Sequence, residues 1–384
     1  MIKRGIATFT LDTGTCPRWL FERMVSLGGR MMDVIVEEFG PDEFVRRIAD
    51  PAWFQSLGTV LAFDWNASGL TTILTAALKE AVRGRERRLG IFICGGKGKT
   101  SLKTPDEICS WGDRITLAGG TTEGLVYHSR MAAKVDSALV QDGFQLYHHA
   151  FFFTRSGGWA VVQQGMNTAK GRARRYHWHS ESVTDVVCEP HAGIASQGGR
   201  VPCLNLTAKE SGATRDLSTE MVGAGYSSLM KDITILRKYS SSLVKTIALQ
   251  RDNEQLVFME LAGTEFHRHP AITEDFSRSK YLEKILLKVC EQKPGDYERL
   301  VALEGVGPKT VRALSLVSEV IYGAAPSYLD PARYSFAHGG KDGTPYPVDR
   351  KTYDTTIAFF RRVVGRMRVS PLEKDRLLRK IGGS

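Results

Sequence analysis

No apolar run in this 384-residue chain approaches the roughly 20 residues that a membrane-spanning helix needs. The first residues also lack the apolar core of a signal peptide. A soluble, cytoplasmic protein without a membrane partner is therefore expected. Cysteine is sparse. Cys16, Cys94, Cys109, Cys188, Cys203 and Cys290 are scattered, with no CxxC pair, which argues against a disulfide framework and for free thiols. Acidic residues are in the minority, 42 Asp and Glu against 52 Lys and Arg, leaving a net charge of +10. An acidic partner such as nucleic acid fits that balance, and a basic surface alone could equally serve solubility.

A complete nucleotide-binding loop is missing too. Leu89 to Cys94 reads as a strand running into Gly95-Gly96-Lys97-Gly98-Lys99-Thr100. The first glycine of the full spacing would fall at Ile93, and Pro105 comes too soon for a long following helix. Nucleotide hydrolysis is not expected, although a glycine- and lysine-rich loop after a strand could hold a phosphate or equally be a plain mobile turn. His177, His179, Cys188, His191 and Cys203 match no zinc spacing, so neither a metal nor any other cofactor is expected.

What is present is most informative at Leu303-Glu304-Gly305-Val306-Gly307-Pro308-Lys309-Thr310-Val311-Arg312-Ala313-Leu314. Leu282, Ile285, Leu286 and Val289 recur at helical spacing before this run. Ala313, Leu316, Val317, Val320 and Ile321 do so after it. The glycines permit positive φ and a close backbone approach, Pro308 suits the first helical position, and Lys309 adds a cation where helix N–H groups favour an anion. This is the sequence form of a helix-hairpin-helix, which grips a nucleic-acid backbone without reading bases. Gly305, Val306, Gly307, Lys309 and Thr310 are its expected DNA contacts.

The first part of the chain, residues 1–210, reads as an α+β or mixed α/β domain of unknown role, with possible DNA contacts or base selection. Thr59 to Phe63 is an expected buried strand delivering Asp64, Leu70 to Val82 and Ser129 to Leu139 are helices, and Phe144 to Thr154 with Trp159 to Gln164 form a hairpin around Arg155-Ser156-Gly157-Gly158. Lys134, Asp136, Asp142, His148, His149, Gln163 and Gln164 make this stretch unusually polar. Arg172-Ala173-Arg174-Arg175-Tyr176-His177-Trp178-His179 alternates cations with rings. Arg174 and Arg175 could neutralise phosphates while Tyr176 and Trp178 stack on bases, or the run could be a solvated basic turn. The Ser-, Gly-, Ala- and Thr-rich run from Lys209 to Tyr226 is the expected boundary. Beyond it, residues 226–384 are expected to be all helical, with Met230 to about Pro270 continuing as helix and a basic last segment (Arg366, Arg368, Lys374, Arg376, Arg379, Lys380) extending the electropositive face.

Asp275 to Leu282, the hairpin, and Gly339 to Asp349 followed by Arg350 to Ile357 together resemble the helix-hairpin-helix DNA glycosylase superfamily. That resemblance implies a DNA repair enzyme for base excision, a glycosylase with possible abasic-site lyase activity on damaged or modified bases. It places Asp349 as the catalytic carboxylate and Lys309 as the Schiff-base lysine, with Asp330 as a rival to Asp349 because the intervening segment is long. The chemistry is coherent, since a carboxylate can stabilise a cationic sugar and a desolvated amine can attack it. Over its whole length the chain also resembles an uncharacterised family of archaeal and bacterial proteins, which implies no activity. Two other readings stand beside the glycosylase: a metal-dependent nuclease using Asp64, Asp136 and Asp142 with Lys97 or Lys134, and a non-enzymatic DNA-binding adaptor.

Overall fold

The computed structural model describes residues 9–10, 14–61, 68–196, 203–239, 246–251, 254–260, 280–332 and 350–382. In chain order the elements are β1 (Phe9–Thr10), α1 (Arg18–Phe39), α2 (Pro41–Ile48), α3 (Pro51–Leu61), α4 (Gly69–Val82), α5 (Glu86–Leu89), β2 (Ile91–Lys97), α6 (Thr104–Ile115), α7 (Gly119–Ala138), β3 (Val140–Gln141), β4 (Gln145–Thr154), β5 (Trp159–Asn167), β6 (Arg172–His179), β7 (His191–Ser196) and β8 (Leu204–Asn205). They continue with α8 (Gly212–Gly223), α9 (Tyr226–Tyr239), β9 (Thr246–Arg251), β10 (Glu254–Glu260), α10 (Lys280–Gln292), α11 (Tyr297–Ala302), α12 (Pro308–Val320), α13 (Arg350–Arg366) and α14 (Pro371–Gly382). The protein is mixed α/β, built on a six-stranded antiparallel sheet ordered β1-β6-β5-β4-β2, with β7 also paired to β6.

Strands β4 and β5 are nearly continuous apolar runs because both faces of the sheet are covered. Successive side chains alternate between the faces. Phe151, Phe153, Val161 and Trp178 enter one core with α6 and α7, whereas Phe152, Ala150, Ala160 and Val162 enter a second core with α1 to α4. The architecture is thus layers of helix on both sides of a sheet. Helices α10, α11 and α12 pack on α7, α8 and α9 and extend the first core through Leu286, Val289, Leu300, Val311 and Leu314.

Several expectations are corrected. Thr59 to Leu61 belongs to α3, not to a strand. Asp50 caps that helix, its Oδ1 accepting from Ala52 N at 2.8 Å, and Pro51 opens it, so the start signal overrides the β-branched tail. Residues 62–67, with Asp64, lie outside the described residues. Pro105 does not prevent a helix but sits in the first turn of α6.

The Lys209–Tyr226 run is helix rather than linker. Its small residues serve close packing, with Ser211, Thr214 and Ser218 buried, and Met221 and Val222 join the core that the sheet shares with the hairpin helices. The described residues on either side of this run therefore share a hydrophobic core. The C-terminal part is not all helical either, because β9 and β10 form an antiparallel hairpin where continued helix was expected. The basic last helices do not flank the hairpin. Phe360, Val363 and Val364 of α13 and Leu377 of α14 pack into the second core, across the sheet, and Arg366 is held by Glu38 at 2.6 Å. All six cysteines are free, and among the described residues no helix is long and apolar enough to cross a membrane.

Candidate functional site

The turn between α11 and α12 gives its two glycines roles that differ from each other. The helix before it is the short α11, capped by Asp296, whose Oδ1 accepts from Arg299 N at 2.7 Å; the Leu282–Val289 stripe belongs to α10, one element earlier. Gly305 has φ +89°, and a Cβ there would lie 2.4 Å from Ile285 Cδ1. The positive φ favours glycine here, and any added Cβ would also have to displace the tip of the Ile285 side chain. Gly307 has extended backbone, φ −146°, and a Cβ would meet nothing within 4 Å. Its openness is toward whatever approaches from outside. Pro308 starts α12 and Lys309 is exposed, while the side chains of Val306 and Thr310 are buried and could offer only backbone.

The hairpin is fastened to the end of α7 and to β3. Lys134 Nζ donates to Leu303 O, Gln141 Nε2 donates to Pro308 O at 3.2 Å, and Arg312 donates to Gln141 Oε1 at 2.8 Å. Partial burial pushes the Lys134 ammonium down to about 8, against a smaller opposing effect of Glu304.

Lys134 also lines a cleft of about 420 Å³ between α7, β4 and the segment leading into α6. Ser101, Thr104, Ser129, Arg130, His149 and Gln163 are among its walls. His149 on β4 lies opposite Gln163 on β5, so both side chains project on the same face, toward α7. Gln163 Nε2 donates to Asp136 Oδ2 at 2.5 Å, which turns Gln163 Oε1 toward His149 Nδ1 at 2.8 Å. His149 consequently carries its proton on Nδ1, and its Nε2 lone pair accepts from Ser129 Oγ at 3.0 Å. Burial lowers the pKa of His149, only partly offset by Gln163 and by the Asp136 charge, so the ring is neutral. A hydroxyl bonded to a neutral imidazole that is oriented from behind is the arrangement of an activated nucleophile and its base.

Asp136, fully buried, anchors this array. Besides Gln163 it receives Trp178 Nε1 at 3.1 Å and His191 Nε2 at 2.5 Å on its two oxygens. The neighbouring His148 faces the other way. Thr75 Oγ1 gives its proton to Thr71 O at 2.8 Å and accepts from His148 Nε2 at 3.0 Å, leaving His148 Nδ1 buried without a hydrogen-bond partner among the described residues.

Arg174, Arg175, Tyr176 and Trp178 are corrected from an exposed strand-contacting segment to interior side chains, because β6 has neighbours on both edges and helices on both faces. Arg174 bridges Asp142 at 2.8 Å and Asp330 at 2.7 Å, and Tyr176 donates its hydroxyl to Asp142 at 2.7 Å. Arg175, whose pKa burial pushes down to about 9, donates to His177 Nε2 at 2.8 Å and to Gln55 on the opposite face. Asp330, the rival carboxylate, is thus a buried latch between β6 and the segment after α12. Asp349 lies outside the described residues.

Gly95, Gly96 and Lys97, expected in a loop, belong to β2 and pair with β4, and the backbone of Gly95 is bonded within the protein. Gly95 N donates to Glu107 at 2.8 Å and Gly95 O accepts from Lys79 at 2.9 Å, while Gly95 approaches His149 so closely that a Cβ would lie 2.3 Å from its carbonyl oxygen. Among the described residues no group of three or more His, Cys, Asp or Glu side chains is placed to hold a metal ion, and Asp136 and Asp142 sit in separate networks. Of the polar residues noted in the sequence, the fold brings Lys134, Asp136, His149 and Gln163 together. Ser129 was missed, since a serine within a helical stretch has no signal of its own.

The family described as a protein of unknown function (DUF763) matches residues 5–348. With most of its length covered, the chain belongs to that family. No curated protein and no solved structure matches it.

Proposed function

We propose that this member of the DUF763 family is a nucleic-acid-processing enzyme, holding a phosphate backbone on the Gly305–Lys309 turn and carrying out its chemistry in the adjoining cleft. The observation that carries this reading is Lys134, which lines the cleft and donates to Leu303 at the root of the turn. The open Cβ direction at Gly307 and the exposed Lys309 support a phosphate contact. The basic balance of the chain supports an anionic partner.

Within this reading Lys309 serves as a phosphate contact. A Schiff-base amine works from a desolvated site, whereas Lys309 is exposed. The glycosylase–lyase version has its own test: borohydride trapping on a duplex with an abasic site, where an imine adduct on Lys309 would favour that version. The general reading is tested by fluorescence anisotropy on oligonucleotides of several sequences. Binding is expected for each sequence to a similar degree, weakening with salt. Absence of binding at low salt would overturn the proposal.

A further inference from the structure

We infer that Ser129 is a nucleophile, His149 its general base, and a phosphodiester of a nucleic-acid strand the group that enters their cleft. The choice of substrate rests on the nucleic-acid reading above; the choice of nucleophile does not. Three linked distances carry the second part. Ser129 Oγ lies 3.0 Å from His149 Nε2, His149 Nδ1 lies 2.8 Å from Gln163 Oε1, and Gln163 Nε2 lies 2.5 Å from Asp136. A serine that needed only burial would be satisfied by bonding back to its own helix, as Ser218 and Ser318 do at 2.7 and 2.9 Å. Ser129 instead meets a neutral ring whose tautomer is set by a carboxylate two residues removed in the hydrogen-bond chain. That array borders a cleft large enough for a small ligand, and Arg130 and Lys134 on its wall favour an anion.

The reaction balances without a co-reactant other than water. Ser129 Oγ attacks phosphorus as its proton passes to His149 Nε2, the P–Oγ bond forms, and the P–O bond to one sugar breaks. His149 returns the proton to the departing sugar oxygen. Water then attacks the phosphoserine ester with His149 again taking a proton, the P–Oγ bond breaks, and Ser129 is reprotonated. Gln163 and Asp136 are positioning residues, holding His149 with its proton on Nδ1.

The test uses the full chain in two arms. In the first, an alkyl fluorophosphonate is added and the labelled peptide is located by mass spectrometry. Fluoride is displaced by Ser129, so one adduct on the Ser129 peptide is expected, absent in Ser129→Ala and about 100-fold slower in His149→Gln, the range general-base catalysis supplies. Asp136→Asn, which lets the Gln163 amide turn over and offer N–H to His149 Nδ1, should slow labelling and move the His149 proton to Nε2 in nitrogen-15 NMR spectra. A loss of packing alone would not invert the tautomer. In the second arm, end-labelled DNA and RNA strands are incubated and quenched in detergent; wild type should cleave or form a covalent adduct, and Ser129→Ala should bind with unchanged affinity yet do neither.

No label on Ser129, or a rate unchanged by His149→Gln, overturns the nucleophile. Normal labelling and normal binding without cleavage or adduct overturns the phosphodiester as substrate. Labelling with no binding of either nucleic acid overturns the nucleic-acid reading itself, and the phosphodiester with it.

Discussion

Lys134 Nζ donates to Leu303 O, so the side chain that borders the cleft also closes the last carbonyl before the hairpin turn. Held partly out of water, its ammonium loses a proton near pH 8 instead of the ordinary lysine value of about 10.4. At pH 8 it should therefore acylate faster than an ordinary exposed lysine. Peptide mapping after brief treatment with acetic anhydride checks this, and Lys134→Met should loosen the turn, seen as faster amide exchange over residues 303–309.

The two glycines of the turn should separate fold from binding. Gly305→Ala meets both a positive φ and Ile285 at 2.4 Å, and should cost on the order of 1–3 kcal/mol of stability. Gly307→Val has room and extended backbone, so thermal melting should change little while affinity for every nucleic-acid sequence falls alike. Undiminished affinity would remove the turn from the interface. Lys309→Gln should reduce the slope of log affinity against log salt by about one unit.

Arg174 lies between Asp142 and Asp330, with all three side chains buried. Asp330→Asn leaves Arg174 paired with Asp142 but turns an amide N–H toward Arg174 or toward Ala332 N, where a carboxylate oxygen accepted, so stability should fall by roughly 1–3 kcal/mol in urea unfolding. If Asp330 were a catalytic carboxylate instead, the same change would reduce activity with stability intact.

Buried His148 titrates near 3, because burial disfavours the imidazolium, with smaller contributions from His149 and Lys97. The unfolded chain takes up this proton near pH 6.5, before the folded one does, so its contribution to stability falls as pH drops from about 6.5 to about 3 and then levels off. The full loss is up to about 5 kcal/mol for this one group. His148→Gln, which keeps a donor for Thr75, should flatten the dependence of urea midpoint on pH over that window. A parallel shift of the whole curve would show that His148 does not titrate there.

The sequence by itself determined the local parts whose cause is local. The Arg155–Gly158 turn fixes the β4–β5 register, and counting back from Thr154 and Gly158, paired at 2.9 Å, brings His149 opposite Gln163 and His148 opposite Gln164. The helical stripes of α10 and α12 were legible from period, α4 was expected within a residue of its bounds, the second half of α7 was expected and its first half was not, and the turn was legible from its glycines and proline. What the tertiary structure decided was environment. Arg174, Arg175, Tyr176 and Trp178 look like a surface segment because composition records charge but not burial, and only the place of β6 inside a sheet covered on both faces puts them inside. The small residues around Gly212 look like a linker because close helix packing and chain flexibility call for the same side chains. Ser129 becomes a candidate only when α7 crosses β4, since its meaning lies in a nitrogen twenty residues away and not in any neighbour along the chain.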